Sequence, residues 1–90
     1  LFERHLETYL RTNVDWTQQV LARLPRGCPV VVLSSQSAGG PTPEGREARS
    51  ESDADNPVSD YGESKLRMER VLLRSGRRRL VILRPPMVLG

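Results

Sequence analysis

Pro29-Val30-Val31-Val32-Leu33-Ser34-Ser35 is the stretch that sets the fold. Residues 29–33 are almost wholly apolar and largely β-branched, with no polar residue alternating between them. Such a run reads as a strand buried on both faces, the pattern of a parallel sheet. Ser34 and Ser35 then stand at its carboxyl end.

Upstream of this strand, Phe2, Leu6, Tyr9, Leu10, Val14, Val20, Leu21 and Leu24 recur at spacings of mostly three and four. This is a helical period, and it predicts one helix over residues 2–24, stopped by Pro25 and Gly27. Downstream, residues 36–58 are rich in Gly, Pro, Ser and charge and show no period. A loop of that length is uncommon unless it is functional or disordered, and we read it as a functional excursion. Ser59 or Asp60 can cap a helix running to about Ser75, Glu63 can complete a capping box with Asp60, and Gly76 supplies the stop. Residues 80–83 form a second buried strand, ended by Pro85 and Pro86. The order helix, strand, long loop, helix, strand implies two parallel strands joined by a right-handed crossover, a piece of an open α/β sheet. Ligands of such sheets bind at the carboxyl ends of the strands, where Ser34, Ser35 and residues 85–90 fall.

Composition narrows the class. Ninety residues make one small domain or part of a larger one, and 37% hydrophobic with 4% aromatic residues is little for a self-sufficient core. Leu1 is not a methionine and the chain closes at Gly90 on an apolar run, so further chain is expected beyond both ends. The single cysteine, Cys28, has no partner for an internal disulfide, and no signal peptide or 18-residue apolar run is present. A cytoplasmic protein with no membrane partner is the expectation.

The net charge of +3 is unevenly spread. Between residues 44 and 60, six acids (Glu44, Glu47, Glu51, Asp53, Asp55, Asp60) face two arginines, net −4, which leaves net +7 elsewhere. Thirteen arginines and one lysine, Lys65, supply the positive charge. A basic balance can serve nucleic acid, but no aromatic residues interleave Arg74, Arg77, Arg78 and Arg79 as single-strand binding would need, so no nucleic-acid partner is expected. His5 is the only histidine, which leaves no metal cluster or histidine triad to build.

Tyr61 and Lys65 lie four residues apart in the first turns of the second helix, so phenol and ammonium share one face. The surrounding residues carry a resemblance. Tyr61-Gly62-Glu63-Ser64-Lys65-Leu66, preceded by Pro57-Val58-Ser59 and followed by Glu69, resembles the Tyr-Gly-x-Ser-Lys segment of extended short-chain dehydrogenases/reductases, the NAD-dependent epimerase/dehydratase family. Val32-Leu33-Ser34-Ser35, about 26 residues upstream, looks like the family's serine strand. Leu83-Arg84-Pro85-Pro86-Met87-Val88-Leu89-Gly90 looks like its following strand and turn, and Asn13-Val14 with Thr17 and Leu21 like the helix before the serine strand. Ser37-Ala38-Gly39-Gly40-Pro41 is closest to the reductases related to dihydroflavonol reductases. Gly39-Gly40 and Leu89-Gly90 stand where sugar-nucleotide epimerases carry Tyr-Gly pairs, and Trp16 replaces a usual glycine.

The resemblance implies a fragment of a Rossmann-like doubly wound parallel sheet, with residues 1–90 the central part of one NAD(P)-binding domain. It implies NAD or NADP as cofactor, a small-molecule substrate, hydride transfer at a carbonyl or hydroxyl carbon, and a parent that could be a homodimer. Tyr61 would relay the proton, Lys65 would hold the nicotinamide ribose and favour the phenolate, and Ser35 would orient the substrate oxygen. Asn13 would complete the catalytic set by bending its helix around a water. Ser34, Pro85 and Val88 would line the cofactor together with Tyr61 and Lys65. A free phenol ionises near pH 10, so relay work near neutrality needs neighbouring positive charge. The lone lysine fits that need, because a rigid guanidinium is no substitute for a compact ammonium touching two hydroxyls and a phenol.

The seven glycines nowhere form the strand-to-helix fingerprint that admits a pyrophosphate, and the resemblance places that fingerprint upstream. Two other readings remain open on the sequence. One is a non-catalytic relative that binds the dinucleotide as a redox sensor, although such relatives tend to lose the Tyr and Lys. The other is a basic nucleic-acid-binding fragment.

Overall fold

A computed structural model describes residues 2–41 and 53–86. The first helix, α1, runs Phe2–Leu10, a π-helical turn follows over Arg11–Asp15, and α2 continues over Trp16–Arg23. The sequence period predicts one unbroken α-helix here, and the π turn is the correction. An extra residue in one turn widens it without disturbing the three-and-four spacing on either side, so apolar period alone is blind to it. Leu24 is extended (φ −91°, ψ 138°), as the residue before a proline tends to be, which ends α2 at Arg23.

Strands β1 (Val30–Leu33) and β2 (Leu80–Leu83) pair in parallel, with Val30 opposite Leu80 and Leu33 opposite Leu83. The crossover between them carries α3 (Asp60–Arg74). The chain is therefore mixed α/β with a two-stranded parallel sheet, as expected of a Rossmann-like piece.

Ser59 caps α3, its hydroxyl accepting from the Gly62 amide at 3.0 Å. The capping box between Asp60 and Glu63 does not form. With Ser59 at the cap, Glu63 lies one position too far along, and it pairs with Arg67 at 3.0 Å instead. Gly76, at φ +72°, supplies the left-handed residue that ends the helix.

The core lies between the helices and one face of the sheet. Leu21, Met68 and Leu72 are buried, and Val14, Val30, Val32, Leu80 and Ile82 pack on them. The opposite face corrects the expectation of strands buried on both sides: Val31, Leu33, Val81 and Leu83 are 62, 63, 50 and 48% exposed. The physical reason is that the helical residues of the core meet only the Val30, Val32, Leu80 and Ile82 side, and no described element covers the other.

Two arginines tie the helix ends together. Arg77 donates to the carbonyls of Leu21, Leu24 and Pro25 at the end of α2, and Arg26 to that of Ser75 at the end of α3. They supply charged donors at helix carboxyl ends, where carbonyls lack a full set of helical partners and the helix end is negative. The basic cluster thus has a structural use at Arg77, as a charged helix end and turn would. Among the described residues no helix is long and apolar enough to cross a membrane.

Candidate active site at the carboxyl end of the first strand

Ser34 and Ser35 follow β1 directly, and both are buried. Their hydroxyls face different duties. Ser34 Oγ donates to Glu69 Oε2 at 2.5 Å, and Glu69 is also held by Arg84, Nε to Oε2 at 2.8 Å and Nη2 to Oε1 at 2.6 Å. Arg84 reaches on to Asp55 at 2.9 Å, so one chain of charge joins the end of β1, the middle of α3, the end of β2 and the returning loop. The hydrogen bond with Glu69 holds the Arg84 guanidinium charged even more firmly than usual. Ser34, expected on the cofactor, is thus committed to this network.

Ser35 instead starts a short 3-10 turn over Gln36–Ala38, its Oγ accepting from the Ser37 amide at 3.1 Å. Accepting leaves its own proton to give, and no acceptor for that proton occurs among the described residues. The turn presses on the start of α3. A Cβ on Gly62 would lie 2.3 Å from the Ser37 carbonyl oxygen, so only glycine lets the turn after Ser35 pack this closely on the start of α3. Gly40 does the same for the loop base: it has φ +84°, and its Cβ would collide with the Asn56 carbonyl at 1.9 Å. The Asn56 amide donates to Gly39 O at 2.8 Å, closing the excursion where it leaves and returns.

Tyr61 and Lys65 occupy one face of α3 as their spacing requires. Lys65 Nζ stands 5.7 Å from the Tyr61 ring centre and donates to Leu33 O, the last carbonyl of β1, at 3.3 Å. Burial lowers the Lys65 pKa from its ordinary value near 10.5, and the Glu69 carboxylate works against that. Tyr9 of α1 meets Tyr61 edge to face, ring centres 5.5 Å apart.

Asn13 lies in the π turn. Its Nδ2 donates to Ser64 Oγ at 3.0 Å, and Ser64 Oγ donates to the Tyr61 carbonyl at 2.7 Å. Asn13 is thereby linked to the backbone under Tyr61 through a fully buried serine. Pro85 is exposed and accepts from the Gln36 amide at 3.2 Å, beside the Ser35 turn. Val88 lies outside the described residues.

Ser35, Asn13, Tyr61 and Lys65 thus gather around the start of α3 and the carboxyl end of β1. Sequence reasoning gave no role to Tyr9, Ser64, Glu69 or Arg84. Glu69 carried a signal, since it continues the four-residue stripe of Tyr61 and Lys65 on α3. Ser64 carried one too, as the serine of the Tyr-Gly-x-Ser-Lys segment, whereas Tyr9 carried none, because its contact joins residues about 50 positions apart.

Neither curated proteins nor solved structures gave a match. A family model does: it covers residues 3–90 and takes in every residue of this site. The chain belongs to the NAD-dependent epimerase/dehydratase family.

Proposed function

We propose that Tyr61, Lys65 and Ser35 are the proton-handling site of an NAD(P)-dependent oxidoreductase or epimerase/dehydratase acting on a small molecule at a carbonyl or hydroxyl carbon. The observation that carries this is the Lys65 ammonium, partly desolvated, beside the Tyr61 ring and against the last carbonyl of β1.

The donor set suits one part of a dinucleotide. An ammonium has three protons to give. One of them goes to Leu33 O, and no other acceptor appears among the described residues, which suits the neighbouring hydroxyls of a ribose. The grip on the pyrophosphate is not made by these ninety residues, whose glycines lack the required spacing.

When bound, nicotinamide supplies or removes the hydride at the substrate carbon. Tyr61 Oη gives a proton to the substrate oxygen during reduction and takes it back during oxidation. Ser35 Oγ donates a hydrogen bond to that oxygen and fixes its direction. Lys65 keeps its ammonium beside the Tyr61 ring and against Leu33 O, where it holds the nicotinamide ribose next to the relay. Asn13, through Ser64, steadies the backbone from which Tyr61 projects.

Tyr61→Phe in the complete protein tests the reading. The substitution removes one oxygen, so turnover should fall at least a hundredfold while NAD(P)H affinity stays within a few-fold. Turnover within tenfold of wild type would end the assignment.

A further inference from the structure

The Asn13 to Ser64 to Tyr61 chain holds a backbone carbonyl, and it leaves the Tyr61 side chain unaddressed. Tyr61 is half-buried in the first turn of α3. A helical tyrosine has two open χ1 wells, and exchange between them carries the phenol oxygen several ångströms. A relay that must meet a substrate oxygen at hydrogen-bond distance loses its rate whenever the ring is in the wrong well. Lys65, 5.7 Å from the ring centre and with its own bond to Leu33 O, is a loose restraint on that choice.

The firm contact comes from α1. The rings of Tyr9 and Tyr61 meet at 80°, with centres 5.5 Å apart, the arrangement in which the positive edge of one aromatic lies on the negative face of the other. Tyr9 is separated from Asn13 by four residues, and α1 packs along α3, so one helical segment reaches Tyr61 twice, at ring and at backbone.

The geometry points to Tyr9 as a positioning residue that holds the Tyr61 ring in its working rotamer. The role rests on the proton relay proposed above for Tyr61 and extends it to a residue that acts through the Tyr61 ring. An edge-to-face pair of this kind biases a two-well equilibrium by about two- to tenfold. The contact uses the ring of Tyr9 and not its hydroxyl.

The test combines tyrosine-labelled NMR with turnover of an activated aryl aldehyde and NADPH, both in the complete protein. Tyr9→Phe should keep the ring-current displacement of the Tyr61 resonances and keep kcat within twofold. Tyr9→Leu should abolish that displacement and lower kcat by up to about fivefold with the KM for NADPH unchanged. Tyr9→Leu with full kcat overturns the positioning role, and so does a loss appearing only as weaker NADPH binding. If Tyr9→Leu does not fold, Tyr9→Phe decides alone, and disappearance of the ring-current displacement with kcat intact overturns the role. An active Tyr61→Phe would sink the relay itself, whereas an inactive Tyr61→Phe beside a fully active Tyr9→Leu sinks only the part given to Tyr9.

Discussion

Arg84 and Glu69 form a two-point ion pair, Nε to Oε2 at 2.8 Å and Nη2 to Oε1 at 2.6 Å, with the carboxylate only 7% exposed. Removing one partner strands a charge that burial has already stripped of water. Arg84→Met should therefore cost about 3 kcal/mol, the low end for a broken buried pair, because the arginine is 31% exposed and partly screened. Adding Glu69→Leu to it should recover much of that loss. Urea unfolding of the two single variants and the double variant measures the coupling, and strict additivity would show that the pair is not coupled.

Gly62 and Gly27 make a matched pair of substitutions. Gly62→Ala puts a methyl 2.3 Å from the Ser37 carbonyl oxygen, a backbone atom that cannot step aside without moving the Ser35 turn. A loss of about 1–3 kcal/mol is expected, with turnover falling more than stability alone explains. Gly27→Ala meets nothing within 4 Å and should be neutral or stabilising by up to about 1 kcal/mol. Thermal melts of both variants check the contrast.

Burial holds the Lys65 pKa below 10.5 in the folded protein, while the unfolded chain titrates at the ordinary value. Below the folded pKa both states bear the charge, and the native state carries the desolvation cost. Between the folded pKa and 10.5 the unfolded state binds the extra proton, so stability contributed at this position rises with pH. Wild type should gain stability across that alkaline window relative to Lys65→Met. Denaturation midpoints of the two proteins as a function of pH would show it, and parallel curves would refute it.

Ser34 and Ser35 are adjacent, equally buried and chemically identical, yet they should respond oppositely. Ser34→Ala removes a hydrogen bond to a charged carboxylate and should cost about 1.5–3 kcal/mol of stability, with turnover per folded molecule little changed. Ser35→Ala should cost less, about 0.5–1 kcal/mol for the lost cap on the Ser37 amide, and lower kcat. The reverse pattern would mean that the substrate-facing hydroxyl is Ser34.

What was legible in the sequence was local. Ser59 and Gly76 mark the ends of α3, β-branched residues mark both strands, and the four-residue step from Tyr61 to Lys65 puts both on one helix face. What was illegible depended on distant partners. The π turn at Arg11–Asp15 leaves the apolar spacing intact, and Glu63 turns to Arg67 because the cap falls on Ser59 rather than Asp60. Whether Ser34 or Ser35 is free to act depends on Glu69, 35 residues on from Ser34. The strands read as buried on both faces because their composition reports the environment they suit, and the residues described here supply one layer of it.

Every rung of the β1–β2 ladder joins residues 50 positions apart, Val30 to Leu80 through Leu33 to Leu83. No strand pair can form early by local search, since closing so long a loop costs entropy before any bond repays it. Helix α3, whose residues are neighbours in sequence, can form on its own timescale and offer Met68 and Leu72 as a surface on which the strands align. Folding kinetics should then show high φ-values for Leu72→Ala and low ones for Val32→Ala and Ile82→Ala. Lengthening the excursion between Gly40 and Asn56 should slow folding modestly, because doubling a flexible loop adds only about 0.6 kcal/mol to its closure. The carboxyl ends of both strands, beside which the candidate site lies, come together only when this ladder closes, so the active geometry waits on the long-range step of assembly.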